Sequence, residues 1–359
     1  MSLAVPCLAV ATIGLLLPAA FGGLTGPGIP ITPAAPTLHK WVDLSKRSGV
    51  APSARQAYGM AYDPNLGAAI LFGGNSPSGT SLNDTWEFVN GHWKNLNLTG
   101  SSAPSARWSA GLVFDPGLGG VLMFGGQSSY LSFCGIACAL NDTWVFNSTG
   151  WHNLNLSVAP PPQPATSLVY DSHDGYDLLL THPVGMPSYA EEWRFAGGKW
   201  VNATSTITGT LPNLGFFYAD DATDGFVLLF GGDTGCQGAG LTWMYRNGTF
   251  HNLTSRQNVT PTATMGSHAI AFDPRLKGDV MTGGYDNSCR VSNQTWFFHH
   301  GHWQNVSNQT GTAPPGRWDA RMVWDGKLGL HGGDLTFSGN EAAIGGGNSF
   351  GSDTWKLTP

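Results

Sequence analysis

The sequence repeats itself about every 52 residues along most of its length. The clearest marker is an Asp that ends an apolar segment, and its successive copies lie 52, 56, 50, 52 and 52 residues apart. The six copies are Asp63, Asp115, Asp171, Asp221, Asp273 and Asp325. A single unit of this size cannot bury its apolar face alone, so chains with such a period stack copies of one small unit. The sequence therefore predicts an assembly of six similar units.

A Gly pair and two aromatic positions recur in register with this Asp. The Gly pairs are Gly73-Gly74, Gly125-Gly126, Gly231-Gly232, Gly283-Gly284 and Gly332-Gly333. The first aromatic is a Trp in every unit, at Trp86, Trp144, Trp193, Trp243, Trp296 and Trp355. The second follows about seven residues later, at Trp93, Trp151, Trp200, Phe250 and Trp303. Its sixth copy is predicted to be Trp41, which stands alone ahead of the first unit.

Each unit predicts four strands, a to d, which in the first unit cover residues 57–62, 68–72, 85–89 and 92–97. Asn90-Gly91 separates strands c and d. Asn-Gly between alternating apolar runs is a strong hairpin signal, because both central residues of the turn need positive φ. No segment shows a helical hydrophobic period of useful length. The sequence predicts an all-β fold.

An apolar strand, Phe-Gly-Gly, Asn-Asp-Thr-Trp and a Trp after a Gly turn together resemble the kelch repeat. The resemblance covers about residues 38–359. It implies a six-bladed β-propeller of four antiparallel strands per blade, in the wider class of galactose-oxidase-like propellers, closed by a strand at Trp41 to Leu44. Three units depart from the Phe-Gly-Gly pattern: the third has Leu180-Thr181-His182, and the fifth and sixth carry Thr282 and His331 in place of Phe.

The first 38 residues contain no Lys, Arg, Asp or Glu. Residues 1–24 are interpreted as a signal peptide or, alternatively, an N-terminal hydrophobic anchor, and residues 25–37 as a Pro-rich spacer before the propeller at 38–359. Asn-x-Ser/Thr sequons agree with export. They occur at Asn83, Asn97, Asn141, Asn147, Asn155, Asn202, Asn247, Asn252, Asn258, Asn293, Asn305 and Asn308. We expect an extracellular or cell-surface glycoprotein.

Charged residues make up only 11% of the chain, and the net charge is −6. A nucleic-acid partner requires denser basic charge. No catalytic signature, cofactor motif or metal site is predicted: His299, His300 and His302 fit a solvated hairpin, and Asp220, Asp221 and Asp224 fit an Asx turn.

The leading functional hypothesis is a non-catalytic binding propeller for an extracellular glycan or surface protein. A structural subunit of a cell envelope or filament, associating with a membrane or envelope through residues 3–24, is the alternative. A copper-radical oxidase is the second alternative, which the resemblance allows only if a cross-linked Tyr–Cys pair, a second Tyr and two His converge.

The b–c loops are longer and more varied than the a–b and c–d turns, and they share a face with the d–a loops. Function tends to lie on such loops. The binding-face candidates are Tyr130, Phe133, Tyr285 and Arg290 in these loops, and Arg55, Arg107 and Arg317 before strand a. The three arginines are either ligand contacts or structural residues that bond loop carbonyls.

Four cysteines remain once Cys7 is assigned to the signal segment, an even number as expected after export. Cys134 and Cys138 lie in one b–c loop, and Cys236 and Cys289 lie in the b–c loops of neighbouring units. We predict the disulfides Cys134–Cys138 and Cys236–Cys289. Non-reducing peptide mapping of the secreted protein should recover both cross-linked peptides, and free thiols at these positions would contradict the pairing.

Overall fold

The computed structural model describes residues 40–98, 100, 103–128, 138–163, 167–181, 190–207, 216–232, 240–261, 265–286, 288–329, 332–341 and 349–358. The predicted signal or anchor (1–24) and the spacer (25–37) lie outside these residues. Within the described ranges, no helix is long and apolar enough to cross a membrane.

The chain forms six antiparallel sheets of four strands each. Blade 1 holds β2 (Gly59–Asp63), β3 (Ala68–Phe72), β4 (Thr85–Val89) and β5 (His92–Asn95). Blade 2 holds β6 (Gly111–Asp115), β7 (Gly120–Phe124), β8 (Thr143–Asn147) and β9 (Gly150–Asn153). Blade 3 holds β10 (Leu168–Asp171), β11 (Tyr176–Thr181), β12 (Glu191–Ala196) and β13 (Lys199–Asn202).

The second half of the ring has the same architecture. Blade 4 holds β14 (Phe216–Asp221), β15 (Phe226–Gly231), β16 (Leu241–Arg246) and β17 (Thr249–Asn252). Blade 5 holds β18 (Met265–Asp273), β19 (Gly278–Tyr285), β20 (Thr295–His299) and β21 (His302–Asn305). Blade 6 holds β22 (Arg321–Asp325), β23 (Gly333–Asn340), β24 (Phe350–Leu357) and β1 (Trp41–Asp43).

Blade 6 confirms the predicted closure of the ring. β1 pairs antiparallel with β24, with Trp41 opposite Leu357 and Asp43 opposite Trp355. The N-terminal strand thus covers the edge that β24 would otherwise present. Pairing this edge matters because unpaired N–H and C=O groups at a sheet edge invite association with other chains.

The repeated Asp closes the turn between strands a and b. In blade 1, Oδ1 of Asp63 accepts hydrogen bonds from the backbone N–H groups of Asn65 (2.8 Å) and Leu66 (3.1 Å). Asp115 makes the same bonds in blade 2, to Gly117 and Leu118. A carboxylate that mimics a backbone carbonyl in this way stabilises a tight turn, which explains why the Asp recurs in every unit.

The hydrophobic core is divided into six clusters, one at each junction between neighbouring blades. A hydrogen bond crosses five of these junctions. In each, the indole N–H of the second aromatic donates to the hydroxyl of the strand-c Thr that directly precedes the first Trp of the preceding blade. These pairs are Trp93–Thr354, Trp151–Thr85, Trp200–Thr143, Trp303–Thr242 and Trp41–Thr295, at 2.9–3.0 Å. The aromatics are therefore parts of the blade junctions.

The junction between blades 3 and 4 is built differently. Glu192 occupies the Thr position, and the second aromatic of blade 4 is Phe250, which has no N–H to donate. Tyr245 compensates, because its hydroxyl donates to Oε1 of Glu192 at 2.8 Å. Three departures from the repeat pattern, at Glu192, Tyr245 and Phe250, thus preserve one hydrogen bond across the junction.

The assignment of the sixth Gly pair was wrong. Gly332 precedes β23 and Gly333 begins it, and the pair near the end of this strand is Ser338-Gly339, with φ of 50° and 124°. The Ser338 hydroxyl supports the left-handed backbone by donating to the carbonyl of Arg55 at 2.6 Å. Phe337, and not His331, therefore matches the Phe of the other units, and β23 extends to Asn340.

Deleting residues 38–45 should destabilise the whole ring, because it removes β1 and the Trp41 indole. Trp41→Ala should by itself lower the free energy of unfolding by about 3–5 kcal/mol. Trp41→Phe is the matched control, since Phe250 already fills this position in blade 4, and it should cost only about 1 kcal/mol for the lost hydrogen bond. Denaturant titrations would measure both effects. A deletion variant that melts at the wild-type temperature would refute closure.

Candidate binding site in the central channel

The six a strands surround a channel on the axis of the ring. This channel contains a cavity of about 410 Å³ to which all six strands contribute lining residues. Concave sites of roughly 300–1,000 Å³ are typical for small ligands. The channel is thus a candidate site for a small ligand.

Arg321 and Phe217 face each other within this channel. The Arg321 guanidinium carbon lies 4.9 Å from the centre of the Phe217 ring, although the two residues belong to blades 6 and 4. Both lie four residues before the turn Asp, a position that is Gly59, Gly111, Ser167 or Ala269 in the other blades. Two large side chains thus occupy places that are otherwise small, and they meet across blade 5.

Arg321 belongs to a polar group near the b–c face of the channel. Its backbone N–H donates to the Tyr58 hydroxyl at 3.0 Å. Burial lowers the pKa of the Arg321 guanidinium, and the negative charge of Asp319 partly offsets this. Burial raises the pKa of Asp319. The positive charge of Arg321 and a hydrogen bond with Ser267 oppose this increase. Because guanidinium stays protonated in proteins, Arg321 offers charged N–H donors to a ligand.

His268 lies beside this polar group. Its buried imidazole is 4.9 Å from the Phe217 ring and 5.3 Å from the Phe230 ring, measured between centroids. This part of the cavity lining therefore combines an aromatic ring and an imidazole with the Arg321 guanidinium.

Half-buried aromatic side chains line the opposite end of the cavity. Each directly precedes a turn Asp, at Tyr62, Phe114, Tyr170, Phe272 and Trp324. Asp220 takes the sixth place, and burial raises its pKa to about 6. Burial also raises the pKa of Tyr62 to about 12, so its phenol stays neutral and can donate a hydrogen bond.

Arg55, Arg107 and Arg317 are bound to the scaffold. Arg107 donates to both carboxylate oxygens of Asp142, at 2.5 and 2.8 Å, and to the carbonyls of Gly125 and Ser105. Arg55 and Arg317 form the same bidentate pairs with Asp84 and Asp353.

Each of these three carboxylates also accepts the indole N–H of a first Trp, at 2.6 Å. The three arginines are almost completely buried, so their contacts favour the structural interpretation.

The structure describes two of the four loop candidates, Tyr285 and Arg290. Tyr285 is buried at the end of β19, and its ring meets the Trp318 ring edge-on at 6.0 Å between centroids. Arg290 is exposed in a turn whose backbone is held by the Asp286 carboxylate. Tyr130 and Phe133 lie outside the described residues. Neither Tyr285 nor Arg290 is among the described residues that line the channel cavity.

The twelve predicted glycosylation acceptors all lie at the surface. Eleven are exposed, and Asn147 is half-buried. Cys138 and Cys289 are each in a disulfide. Their predicted partners, Cys134 and Cys236, lie outside the described residues, so the pairing stays a prediction.

The described residues do not match a copper-radical site. The lining of the cavity includes one histidine, His268, and no cysteine. His299 and His300 lie instead in a c–d turn, where they bond the Lys277 carbonyl and the Asp224 carboxylate. No cluster of three or more His, Cys, Asp or Glu suited to a metal ion occurs in the described ranges.

Comparison with solved structures agrees with this architecture. The structure of YjhT superposes with a TM-score of 0.56 at 13% identity, covering 85% of this chain and 95% of that one. The fold is a six-bladed, kelch-like β-propeller. A fungal alcohol oxidase of the AA5 family, in complex with copper, superposes with a TM-score of 0.50 at 14% identity.

That second match covers 84% of this propeller and 62% of the oxidase. At these identities the similarity concerns the fold alone. No protein-family model matches the sequence, and no curated protein matches it.

Sequence reasoning missed Arg321, Phe217 and Asp319. A signal was present, because Arg321 and Phe217 are the two large side chains at an otherwise small repeat position. Aligning the six units residue by residue back from the turn Asp would have revealed them. That they meet each other follows only from the ring geometry.

Substituting a scaffold arginine tests its role directly. Arg107→Ala removes the ionic partner of the Asp142 carboxylate and the donor to the Gly125 carbonyl, so the free energy of unfolding should fall by about 3 kcal/mol. Arg107→Ala with Asp142→Leu should recover part of this loss, since blade 4 carries Leu241 at the Asp position. Denaturant unfolding of the four-member cycle measures the coupling. Unchanged stability would mean that Arg107 has no structural role.

Proposed function

We propose that this protein is a secreted, glycosylated, non-catalytic binding propeller whose central channel receives part of an extracellular glycan. The observation that carries the proposal is the stacked Arg321–Phe217 pair beside a cavity of about 410 Å³. A cavity of this size suits a small ligand and is too small for a folded protein partner.

The chemistry of the lining suits a carbohydrate. Aromatic faces such as Phe217 and Trp324 pack against the apolar C–H faces of sugar rings. Arg321 can bond hydroxyl groups and can also pair with a carboxylate. A surface protein would instead need about 800 Å² of interface, which the varied b–c loops offer more readily than the channel.

The location outside the cell is part of the proposal and rests on two features. The acceptor asparagines are accessible, as oligosaccharide transfer requires, and the sequence begins with an uncharged apolar segment. N-terminal sequencing of the mature protein is informative here. An end near residues 21–26 supports a soluble binder, whereas retention of residues 3–24 supports the alternative of an envelope or filament subunit.

Glycan-array screening followed by calorimetry tests the channel. Arg321→Ala should weaken binding of the best glycan at least tenfold, since a charge-assisted hydrogen bond contributes about 1.5–3 kcal/mol. Phe217→Leu should weaken it less, because it removes stacking but keeps apolar volume. An unchanged dissociation constant for Arg321→Ala, with folding intact, would rule out the channel.

The b–c face is tested in parallel by replacing Tyr130, Phe133 and Arg290 together. Binding that survives the change of Arg321 but is lost in this triple variant would place the ligand on the loops and favour a surface protein. The paired measurements therefore distinguish the two ligand classes.

A further inference from the structure

Three of the six blade junctions bury an Asp on strand b. The second residue of strand b is Asp177 in β11, Asp279 in β19 and Asp334 in β23. All three are 0% exposed. The residues at the same place in blades 1, 2 and 4 are Ala69, Val121 and Val227, which sit opposite the equivalent residue of strand a. The position is therefore apolar in blades 1, 2 and 4 and carries a carboxyl group in blades 3, 5 and 6.

Each buried Asp faces the turn Asp of the preceding blade. Asp177 lies within hydrogen-bonding reach of the Asp115 carboxyl. The groups around it add no positive charge: Tyr170 lies opposite on β10, and Phe195 lies opposite on β12. Arg194, the cation next to Phe195, is bonded to Glu192 at 2.5 Å.

The junction between blades 4 and 5 concentrates negative charge. Asp279 is flanked by the carboxyl groups of Asp221, Asp220 and Asp224, and more distantly by that of Asp334. Phe272 and Phe298 are its neighbours on β18 and β20. The nearby imidazoles are engaged elsewhere, with His299 on the Lys277 carbonyl and His300 on Asp224.

At the junction between blades 5 and 6, Arg275 lies beside the carboxyl pair of Asp273 and Asp334. Asp334 lies within hydrogen-bonding reach of Asp273, whose two oxygens are bonded by Arg275. The neighbours of Asp334 on β22 and β24 are Trp324 and Leu357. Lys356, next to Leu357, is half-buried, and burial lowers the pKa of its ammonium group. Arg275 thus neutralises the carboxylate of Asp273, and the carboxyl group of Asp334 has no cation bonded to it among the described residues.

None of the six side-chain oxygens of Asp177, Asp279 and Asp334 receives a hydrogen bond from a backbone N–H, Lys or Arg in the described ranges. A buried carboxylate without donors is strongly destabilising, and two neighbouring carboxylates cannot both ionise. A protonated carboxyl avoids both costs, because it is neutral and can donate its proton to the partner carboxylate.

We propose that the folded ring holds a proton at each of these three junctions and that the protein is built to work in acidic surroundings. Each proton stabilises one junction: between blades 2 and 3, between blades 4 and 5, and between blades 5 and 6. This inference concerns the working pH and does not depend on the proposed glycan site.

The pKa directions agree and define the pH range. Burial and the Asp115 charge raise the pKa of Asp177 to about 9, and those of Asp279 and Asp334 are also well above the usual range. An Asp in the unfolded chain titrates near pH 4. The folded state therefore binds more protons than the unfolded state above about pH 4, and stability falls as the pH rises toward 9.

A second set of carboxyls sets the lower limit. The arginine partners Asp84, Asp142 and Asp353 have lowered pKa values, because their hydrogen bonds and ion pairs outweigh burial. Their contribution is present above about pH 4 and is lost as the pH falls through their folded pKa values. Stability should thus be greatest in moderately acidic solution, near the pKa of free Asp.

Guanidinium unfolding followed by Trp fluorescence between pH 4 and 8 tests the proposal. For each proton held, the unfolding constant should rise by up to tenfold per pH unit. The triple variant Asp177→Val, Asp279→Val, Asp334→Val should fold, since blades 2 and 4 carry Val there, and should lose most of this dependence. Asp220, Asp221 and Asp325, with pKa values near 6, account for a smaller remaining slope.

Val121→Asp is the matched converse variant, because it creates a fourth pair with Asp63. It should steepen the dependence by up to another tenfold per pH unit. If the triple variant does not fold, the single Asp177→Val variant and the infrared band of a protonated carboxyl at neutral pH give the same information. Equal pH slopes in wild type and variants, or removal of the slope by millimolar Ca²⁺ or Mg²⁺, would overturn the proposal, the latter in favour of a cation site.

Discussion

The bond from a Trp indole in one blade to a Thr hydroxyl in the blade before it is the contact on which the ring depends. It joins residues far apart in sequence, as in Trp41 and Thr295, and lies within the apolar cluster of the junction. An indole N–H buried without an acceptor would cost about 1–3 kcal/mol, so the Thr and the Trp must be kept together. The junction between blades 3 and 4 shows the same constraint, since Glu192 and Tyr245 replace the pair jointly.

A second set of contacts, between buried arginines and aspartates, occurs in three of the six blades. Blades 6, 1 and 2 each hold a buried Arg that bonds an Asp and a carbonyl at the end of strand b. At the Asp position, blades 3, 4 and 5 carry Glu191, Leu241 and Gln294. The buried carboxyl pairs lie at junctions that all involve blades 3 or 5. The repeated bidentate Arg–Asp pairs thus occur in one half of the ring, and the buried carboxyl pairs involve the other half.

The channel inherits this asymmetry. Arg321 comes from the half with the ion pairs and Phe217 from the other half, and they meet in front of His268. A six-fold repeat on its own would line the channel with identical small residues. Function in such a ring depends on the few positions where one blade departs from the repeat, because the shared positions are required for packing.

The sequence by itself determined the number of blades, the turn Asp residues, the strand order and the closure through Trp41. These follow from local patterns, since Asx turns, Asn-Gly hairpins and alternating strands are specified by residues close together in the chain. The sixth Gly pair was assigned wrongly to Gly332-Gly333, because a Gly pair signals a turn equally well at either end of a strand. Only the tertiary structure decided that Arg321 meets Phe217 and that Asp115 meets Asp177. Such contacts join side chains of different blades, and their distances are set by the packing of whole sheets around the axis rather than by any spacing along the chain.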